Sequence, residues 1–288
     1  MRVRVSPPAP NVLSQNHLRQ WVGPNIPNRA VLSPPLKWAG GKRWLVPYLE
    51  PLWGPHRERR YVEPFCGWLA VAFGLQPERA LLNDINPHLI NFYKQIRRGL
   101  SITIKTRYQK NLFYRNRKRF NELISGGFAS TNEAAQLFYY LNRTGYNGLC
   151  RFNRKGEFNV PFGRYKSVNY LTDFDEYRRR FLEWSFQNQD VQWLRLDRDD
   201  FIYADPPYDV QFTTYSSGGF TWDDQVRTAD WLAKHRGPVV LSNQATSRIV
   251  KLYRQLGFRL KFLDAPRRIS ANGSRLPARE VLAMKNLD

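Results

Sequence analysis

Short apolar runs alternate with helical patterns along much of this chain, and that alternation constrains the fold more than any other feature. The strand-like run RYVEPFCG at residues 60–67 is followed by the helical pattern LAVAFGLQ and then by the strand-like run RALLNDIN. The rhythm returns at residues 200–257, where DFIYADPPY and PVVLSNQ each precede an amphipathic helical pattern. Strands that alternate with helices at this spacing predict an open α/β sheet.

Residues 87–169 interrupt the rhythm. They are helical in pattern, basic and aromatic, with no alternation of strands and helices. We interpret them as an inserted domain, so the predicted sheet domain comprises residues 34–86 and 170–288. Residues 1–33 are rich in Pro, Asn and Ser and have no sustained period, which predicts a disordered tail or extension.

The strand-like run at 201–204 ends at Asp205-Pro206-Pro207-Tyr208. Two consecutive prolines remove two backbone donors, so a strand cannot continue through them. The Asp205 carboxylate and the Pro206 carbonyl then present two acceptors to an NH2 group, and Tyr208 can lie over a flat base. Hydrogen bonds from the NH2 group to these acceptors favour its pyramidal form, in which the nitrogen lone pair is free to react. The acid would therefore act by hydrogen bonding and positioning. A plain β-turn could use the same residues.

A second candidate edge lies upstream, where one strand pattern ends at Glu63 and the next ends at Asp84. An acid placed about 20 residues after such a turn can accept the hydroxyls of a ribose. The chain has neither a G-x-G-x-x-G fingerprint nor a Walker A loop, so we expect a nucleoside without phosphates. A strand–helix turn followed by a surface acid is the alternative.

The charge of the chain points to a polyanionic partner. It has 45 Lys and Arg against 24 Asp and Glu, a net charge of +21, and nucleic acid is the commonest such partner. Residues 97–119 contain nine of the basic side chains and no acid, interleaved with Tyr and Phe. This run predicts a phosphate-tracking surface, with a solvated helix face as the alternative.

Cysteine and histidine usage gives no sign of a metal site. Cys66 and Cys150 lie far apart, and the four histidines have no ligand-like spacing. No apolar run approaches the about 20 residues of a membrane span, and the N-terminus lacks a signal-peptide pattern. We therefore expect no metal, no disulfide, no membrane partner and a cytoplasmic location.

Four segments together resemble the Dam-type DNA adenine-N6 methyltransferases, the D12 class: LKWAGGK at 36–42, EPFCG at 63–67, LNRTGYNGLCRFNRKGEFNVPFGRYK at 141–166, and DPPY at 205–208. Their order is that of the α class of amino-methyltransferases. The resemblance implies a Rossmann-like mixed sheet with an inserted, mainly helical target-recognition domain. It also implies S-adenosylmethionine (SAM) as methyl donor and double-stranded DNA as partner of a monomer, in a bacterial or phage-infected cell.

The resemblance implies a role for each matching residue. Asp205, Pro206 and Tyr208 would be catalytic, and the target adenine would have to flip out of the duplex to reach Tyr208. Asp84 would bind the ribose hydroxyls of SAM, and Asp205 would touch both cofactor and target. Trp38 would stack near the cofactor adenine, and the full implied cofactor set is Trp38, Gly40, Lys42, Glu63, Phe65, Asp84 and Asp205.

Within the recognition segment, Dam-like enzymes would use Tyr146 and Asn147 to fill or support the opened step. Leu149 and Pro161 would contact a thymine methyl, and Arg151 would bind a guanine, which are the expected major-groove pairings. GATC is the recognition site that this segment implies. Packing inside the insert is the alternative for Tyr146 and Leu149.

Further DNA contacts are implied outside that set. Lys37 resembles the lysine that reaches the outer guanine, and Arg164 would contact a phosphate or the site. Arg267, Arg268 and Arg275 would lie against phosphates from a hairpin, and such contacts position a protein without specifying sequence.

Two kinds of alternative stay open at this point. The same chemistry could act at another short site or on cytosine N4. A catalytically silent DNA-binding relative is the other possibility, because Trp68, which follows EPFCG, could close the cofactor pocket.

Overall fold

The computed structural model describes residues 32–37, 41–209, 219–265 and 278–287, and every structural statement below concerns these ranges. Part of the predicted site lies outside them, namely Trp38, Gly40, Arg267, Arg268 and Arg275. The predicted N-terminal tail also lies outside, apart from its last two residues.

A mixed sheet of seven strands forms the centre of the described chain. The strands are β1 (Tyr61–Glu63), β2 (Ala80–Asn83), β3 (Trp184–Gln187), β4 (Phe201–Ala204), β5 (Val239–Gln244), β6 (Arg259–Ala265) and β7 (Ala278–Lys285). Their spatial order is β3-β2-β1-β4-β5-β7-β6. Strands β1 to β5 pair in parallel, whereas β7 is antiparallel to both of its neighbours. The predicted Rossmann-like α/β fold is confirmed.

Eight α-helices accompany the sheet in the described ranges: α1 (Val46–Trp53), α2 (Ala70–Leu75), α3 (Pro87–Arg97), α4 (Lys110–Ser125), α5 (Asn132–Thr144), α6 (Asp175–Phe181), α7 (Trp222–Ala233) and α8 (Ser247–Gln255). Local sequence sets several of their starts. At α7, the Thr221 side chain accepts from the Asp224 backbone N–H and Asp224 accepts from the Thr221 N–H, which satisfies two otherwise unpaired donors.

The alternation of side chains along each strand divides the core into two layers. Tyr61, Tyr203 and Val240 face one layer, whereas Val62 and Ile202 face the other. Helices α1, α2, α3 and α6 contribute to the first layer, and α7 and α8 contribute to the second. Because both faces are covered, the parallel strands are apolar almost throughout, as buried parallel sheets require.

The order of the strands indicates which edge of the sheet binds ligands. The chain moves outward from β1 through β2 to β3, then returns to add β4 on the other side of β1. Open α/β sheets bind ligands at such a reversal, beyond the carboxyl ends of the strands. We therefore expect the crevice where β1 and β4 end.

The predicted insert occupies the connection between β2 and β3. Its helices α3 and α5 pack together, and α3 also packs on β3 and α6. Contacts join the chain from Leu32 onward into one compact unit. The domain boundaries at 87 and 169 therefore stay a prediction.

The basic run at 97–119 separates into exposed charges and packed aromatic rings. Phe113 is buried in the core, and Tyr108 donates to the carbonyl oxygen of Gly163 at 2.8 Å. Arg119 is paired with Glu133, whose carboxylate lies 2.7 Å from its Nε. Most of the other basic side chains of the run are exposed. The aromatic rings of this run thus stabilise the fold, and the phosphate-tracking role of its charges stays a prediction.

No helix within the described ranges is both long enough and apolar enough to cross a membrane.

Candidate active site

Asp205 lies at the crevice, immediately after β4 ends. Its carboxylate accepts a hydrogen bond from the Ser242 hydroxyl at 2.8 Å, and the Lys42 ammonium lies 3.5 Å from Oδ1. The Ser242 hydroxyl also lies 3.0 Å from the Tyr203 hydroxyl. Since Ser242 has one proton and gives it to Asp205, Tyr203 must donate to Ser242. A directed chain of hydroxyl groups therefore holds the carboxylate.

Burial raises the pKa of Asp205, although the positive charge of Lys42 and the Ser242 hydrogen bond act in the opposite direction. The side chain retains 21% of its exposure and so remains accessible from the crevice. A carboxylate in this setting is a stronger proton acceptor than one in water.

Lys42 connects Asp205 to two further groups. Its ammonium lies 2.9 Å and 3.0 Å from the two carboxylate oxygens of Glu280, and 4.3 Å from the centre of the Tyr208 ring. The Tyr208 hydroxyl donates to Glu280 Oε1 at 2.5 Å. We call Lys42, Asp205, Tyr208, Ser242 and Glu280 the carboxyl-edge network.

The two proline carbonyls of the turn differ in their partners. The Pro207 carbonyl accepts from the Gln225 side-chain amide at 2.6 Å, and Gln225 in turn accepts from Asn243 at 3.0 Å. No described residue donates to the Pro206 carbonyl. The turn is thus anchored through Pro207 while the Pro206 oxygen, next to Asp205, keeps its acceptor capacity.

The first loop of the site follows β1. The Gly67 N–H donates to Asp84 Oδ2 at 3.0 Å, and the Asn86 N–H donates to Oδ1 at 2.9 Å. Gly67 adopts φ +45°, and Leu69, which precedes α2, adopts φ +68°. The carboxylate at the end of β2 therefore shapes the loop after β1, and its remaining lone pairs are the ones that could accept further donors.

Two more predicted cofactor residues flank this loop. Glu63 is buried and accepts from the Tyr61 hydroxyl at 3.1 Å, and burial raises its pKa well above the ordinary carboxyl value. Burial likewise raises the pKa of Asp84, against the effect of its two N–H donors. Phe65 is half-buried, with its ring 5.9 Å from that of Phe220 in an edge-to-face arrangement.

Trp68 packs against the core as a half-buried side chain. A Cβ atom at position 41 would lie 3.0 Å from Cζ2 of its ring, so the indole rests directly on the backbone of Gly41. The tryptophan thus joins the Gly-Lys turn to the loop after β1, and a side chain at position 41 would crowd it.

The structure brings Lys37 to the recognition segment. The Lys37 N–H donates to the Asn142 side chain at 2.7 Å, and the Asn142 amide donates back to the Lys37 carbonyl at 2.9 Å. The ammonium donates to the Arg143 carbonyl at 2.8 Å and lies 3.6 Å from the centre of the Tyr165 ring. Burial, with a smaller contribution from the charge of Arg143, lowers the pKa of Lys37 to about 8.

The predicted base-contacting residues form part of the same surface. Tyr146 is 43% exposed, and its N–H donates to the Pro161 carbonyl at 2.9 Å. Asn147 is exposed in a left-handed conformation, with φ +52°. Leu149 is half-buried against the core, so packing accounts for part of its side chain.

Two predicted arginines lie further along this segment. Arg151 is exposed, and its Nε–H donates to the Asn159 side chain at 2.8 Å. Arg164 is also exposed, just beyond Gly163. The structure thus joins Tyr146 to Pro161 and packs Lys37 against Gly148 of the same segment, and it leaves both arginines exposed.

Sequence reasoning missed four polar residues of the site: Gln225, Ser242, Asn243 and Glu280. The sequence could have indicated Ser242 and Asn243, the two in β5, because polar residues at the carboxyl end of an apolar strand mark the binding edge of an α/β sheet. For Glu280 the signal was an acid that begins the apolar run EVLAM.

The family model and the curated relatives that match this chain agree with each other. A family model described as D12 class N6 adenine-specific DNA methyltransferase matches residues 38–269. A DNA adenine methylase of Vibrio cholerae is 39% identical over 273 residues, covering 86% of this chain and 94% of the relative. The type II methyltransferase M1.LlaDCHI of Lactococcus lactis is 32% identical over 273 residues, covering 86% and 93%. Among solved structures, precorrin-6y C5,15-methyltransferase from Geobacter metallireducens aligns with a TM-score of 0.36 at 9% identity, covering 86% and 92%.

Proposed function

We infer the reaction from the family: this chain belongs to the D12 class N6 adenine-specific DNA methyltransferase family and is thus a SAM-dependent DNA adenine methyltransferase. We propose that it methylates the N6 amine of adenine in GATC after that base leaves the duplex. The observation that carries the chemistry is the acceptor pair at the end of β4. The Asp205 carboxylate and the Pro206 carbonyl, to which no described residue donates, stand next to each other at the crevice.

The chemistry of the crevice suits SAM. Among the described residues, the carboxyl groups of Glu63, Asp84 and Asp205 lie near one another, and the Lys42 ammonium beside Asp205 is already paired with Glu280, so a bound cation would find carboxyl partners. Phe65 adds an aromatic surface. When bound, SAM supplies a methyl group made electrophilic by its positive sulfonium. Glu63, Phe65, Asp84 and Lys42 are the described residues that we expect to hold it.

The residues of the chain then act on the target amine. Its two hydrogens are donated to the Asp205 carboxylate and the Pro206 carbonyl, which orients the nitrogen lone pair outward. Tyr208 stacks on the flipped base, and its own position is held by Glu280 and Lys42. As the nitrogen becomes positively charged, the nearby carboxylate stabilises that charge and can take the released proton.

Plasmid DNA grown without GATC methylation tests this function directly. We expect incubation with the protein and SAM to produce N6-methyladenine at GATC, as read by sequence-resolved detection. Methyl groups at a different adenine site, or on cytosine N4, would overturn the GATC assignment. No product, together with no heat on calorimetric titration with SAM, would instead show a silent DNA-binding relative.

Arg151 provides a test of the readout. We expect Arg151→Ala to weaken binding by about 1 to 3 kcal/mol and to relax discrimination at one guanine, because a guanidinium can bond guanine O6 and N7 together. Competition binding with duplexes that carry each single substitution in GATC measures this. Arg154→Ala is the matched control, since that arginine is exposed in the same segment. If Arg151→Ala weakened binding to all duplexes equally, Arg151 would contact a phosphate and not a guanine.

Lys37 gives the complex a pH dependence. Its pKa of about 8 means that the free protein loses this charge between pH 7 and 9. If the ammonium meets DNA, binding requires its protonated form, so affinity should fall above pH 8 by up to roughly tenfold per pH unit. Lys37→Arg keeps a positive charge at every such pH and should flatten the curve. Parallel curves for the two proteins would place Lys37 away from DNA.

A further inference from the structure

We propose that Glu280 is a positioning residue for methyl transfer, which fixes Lys42 and the Tyr208 ring around Asp205; this rests on the proposed function and assigns a role within the same site. The residue lies on β7, more than seventy positions after the DPPY turn in the sequence. Its carboxylate nevertheless meets groups from both ends of the site, Lys42 near the start of the described chain and Tyr208 after β4.

The antiparallel course of β7 explains how the carboxylate reaches the site. In the pairing register, Glu280 lies opposite Gln244 and Leu282 lies opposite Ser242. Since β7 runs against the parallel strands, its first residues arrive at the edge where those strands end. Glu280 and Leu282 share one face of the strand, the face on which Ser242 and Tyr203 also lie.

The Glu280 carboxylate is a buried, ion-paired group and not a surface acid. Glu280 is 5% exposed, and within the described chain its oxygens accept from the Lys42 ammonium and the Tyr208 hydroxyl. A buried charge is tolerated only when it is paired in this way. The negative charge therefore has a defined position, and it defines the positions of its two partners.

The charge balance of the carboxyl-edge network gives Glu280 a specific effect on Asp205. Lys42 lies closer to Glu280, at 2.9 Å, than to Asp205, at 3.5 Å. If the Glu280 charge were removed, the ammonium would turn to Asp205 as its remaining carboxylate. Asp205 would then be a weaker acceptor for the target amine, because its lone pairs would bind an ammonium instead.

The same carboxylate limits the motion of the stacking ring. Tyr208 is held at its hydroxyl by Glu280 and at its face by Lys42, which itself is bound to Glu280. Loss of the carboxylate would thus release both contacts together. A stacking platform that moves by an ångström lowers the fraction of bound adenines in a reactive geometry.

Glu280→Gln tests the role because it keeps the side-chain volume and removes the charge. We expect kcat to fall about 10- to 100-fold, with KM for the DNA duplex changed by less than threefold. The melting temperature should fall as well, because Lys42 then keeps only Asp205 as a carboxylate partner within the network. Glu183→Gln is the control, since Glu183 is exposed before β3, at the opposite edge of the sheet. It should behave as the wild type does.

Tyr208→Phe and the double variant separate positioning from general damage. Removal of the Tyr208 hydroxyl keeps the ring but breaks its contact with Glu280, so the ring is held less firmly and kcat should fall. In the double variant the loss should be no larger than in Glu280→Gln alone, because both changes break one connection.

The inference would be overturned by a wild-type kcat for Glu280→Gln, or by fully additive losses in the double variant. If Glu280→Gln failed to fold, Tyr208→Phe alone would decide, and an unchanged kcat there would sink the idea. An inactive wild-type protein would overturn the proposed function itself, and this role with it, so the two failures are distinguishable.

Discussion

Asp205→Asn is expected to lower the rate constant of methyl transfer by about 100- to 1,000-fold, or roughly 3 to 4 kcal/mol. Asparagine preserves the size of the side chain and its bond from Ser242, but it removes the negative charge that stabilises the amine as it becomes cationic. It also leaves Lys42 with one carboxylate partner in the network, Glu280. Single-turnover transfer to a duplex with one site, at saturating SAM, measures the effect.

Duplex binding should separate this chemical loss from a structural one. We expect Asp205→Asn to bind the duplex within about threefold of wild type, since Asp205 is proposed to meet only the flipped base and the other proposed DNA contacts lie in the recognition segment. Asp199→Asn is the matched control, because Asp199 lies at the opposite end of β4 with a side chain 73% exposed. Undiminished turnover by Asp205→Asn would remove the carboxylate from the mechanism.

Gly148→Ala is expected to disrupt sequence-specific binding by displacing Lys37. Gly148 has φ +63°, and a Cβ atom there would lie 2.5 Å from Cβ of Lys37 and 2.9 Å from its carbonyl carbon. Lys37 cannot simply retreat, because Asn142 holds its backbone N–H and carbonyl. Backbone strain and overpacking together should lower the free energy of unfolding by about 2 to 5 kcal/mol. Denaturant unfolding and the ratio of Kd values for GATC and unrelated duplexes measure both consequences.

Gly156→Ala isolates the clash from the strain. Gly156 has φ +76° in the same segment, but a Cβ atom there would meet nothing within 4 Å. This variant should lose only the about 1 to 2 kcal/mol of a left-handed alanine, and it should keep its preference for GATC. Equal effects from the two alanines would show that contact with Lys37 does not matter for recognition.

The sequence anticipated the parts of the site that local chemistry encodes. Proline cannot donate to a sheet, so the end of β4 at Asp205 followed from the letters alone. The alternating strand and helix patterns likewise predicted the parallel strands around β1 and β4. Lys42 and Asp205 were both expected at the site, and they lie within 3.5 Å of each other.

Other features could not be found from a local pattern. Strand β3 was missed because its four residues, WSFQ, are separated by only two residues from the end of the arginine-rich helix α6, and pairing with β2 is what makes them a strand. The basic run with its interleaved aromatic residues predicted a phosphate-tracking surface, whereas Phe113 of that run packs in the core. Burial of a ring depends on which elements cover it, and those elements are distant in sequence.

The sequence by itself determined where the catalytic strand stops and which acceptors stand there, because proline and carboxylate chemistry act at the residue that carries them. Only the tertiary structure decided what holds those acceptors. Glu280 reaches Lys42 and Tyr208 because β7 inserts antiparallel beside β5, in a register that puts Leu282 opposite Ser242. That register is selected by burial of both faces of the strand in two core layers. Such selection depends on the whole sheet, so no short stretch of sequence contains it.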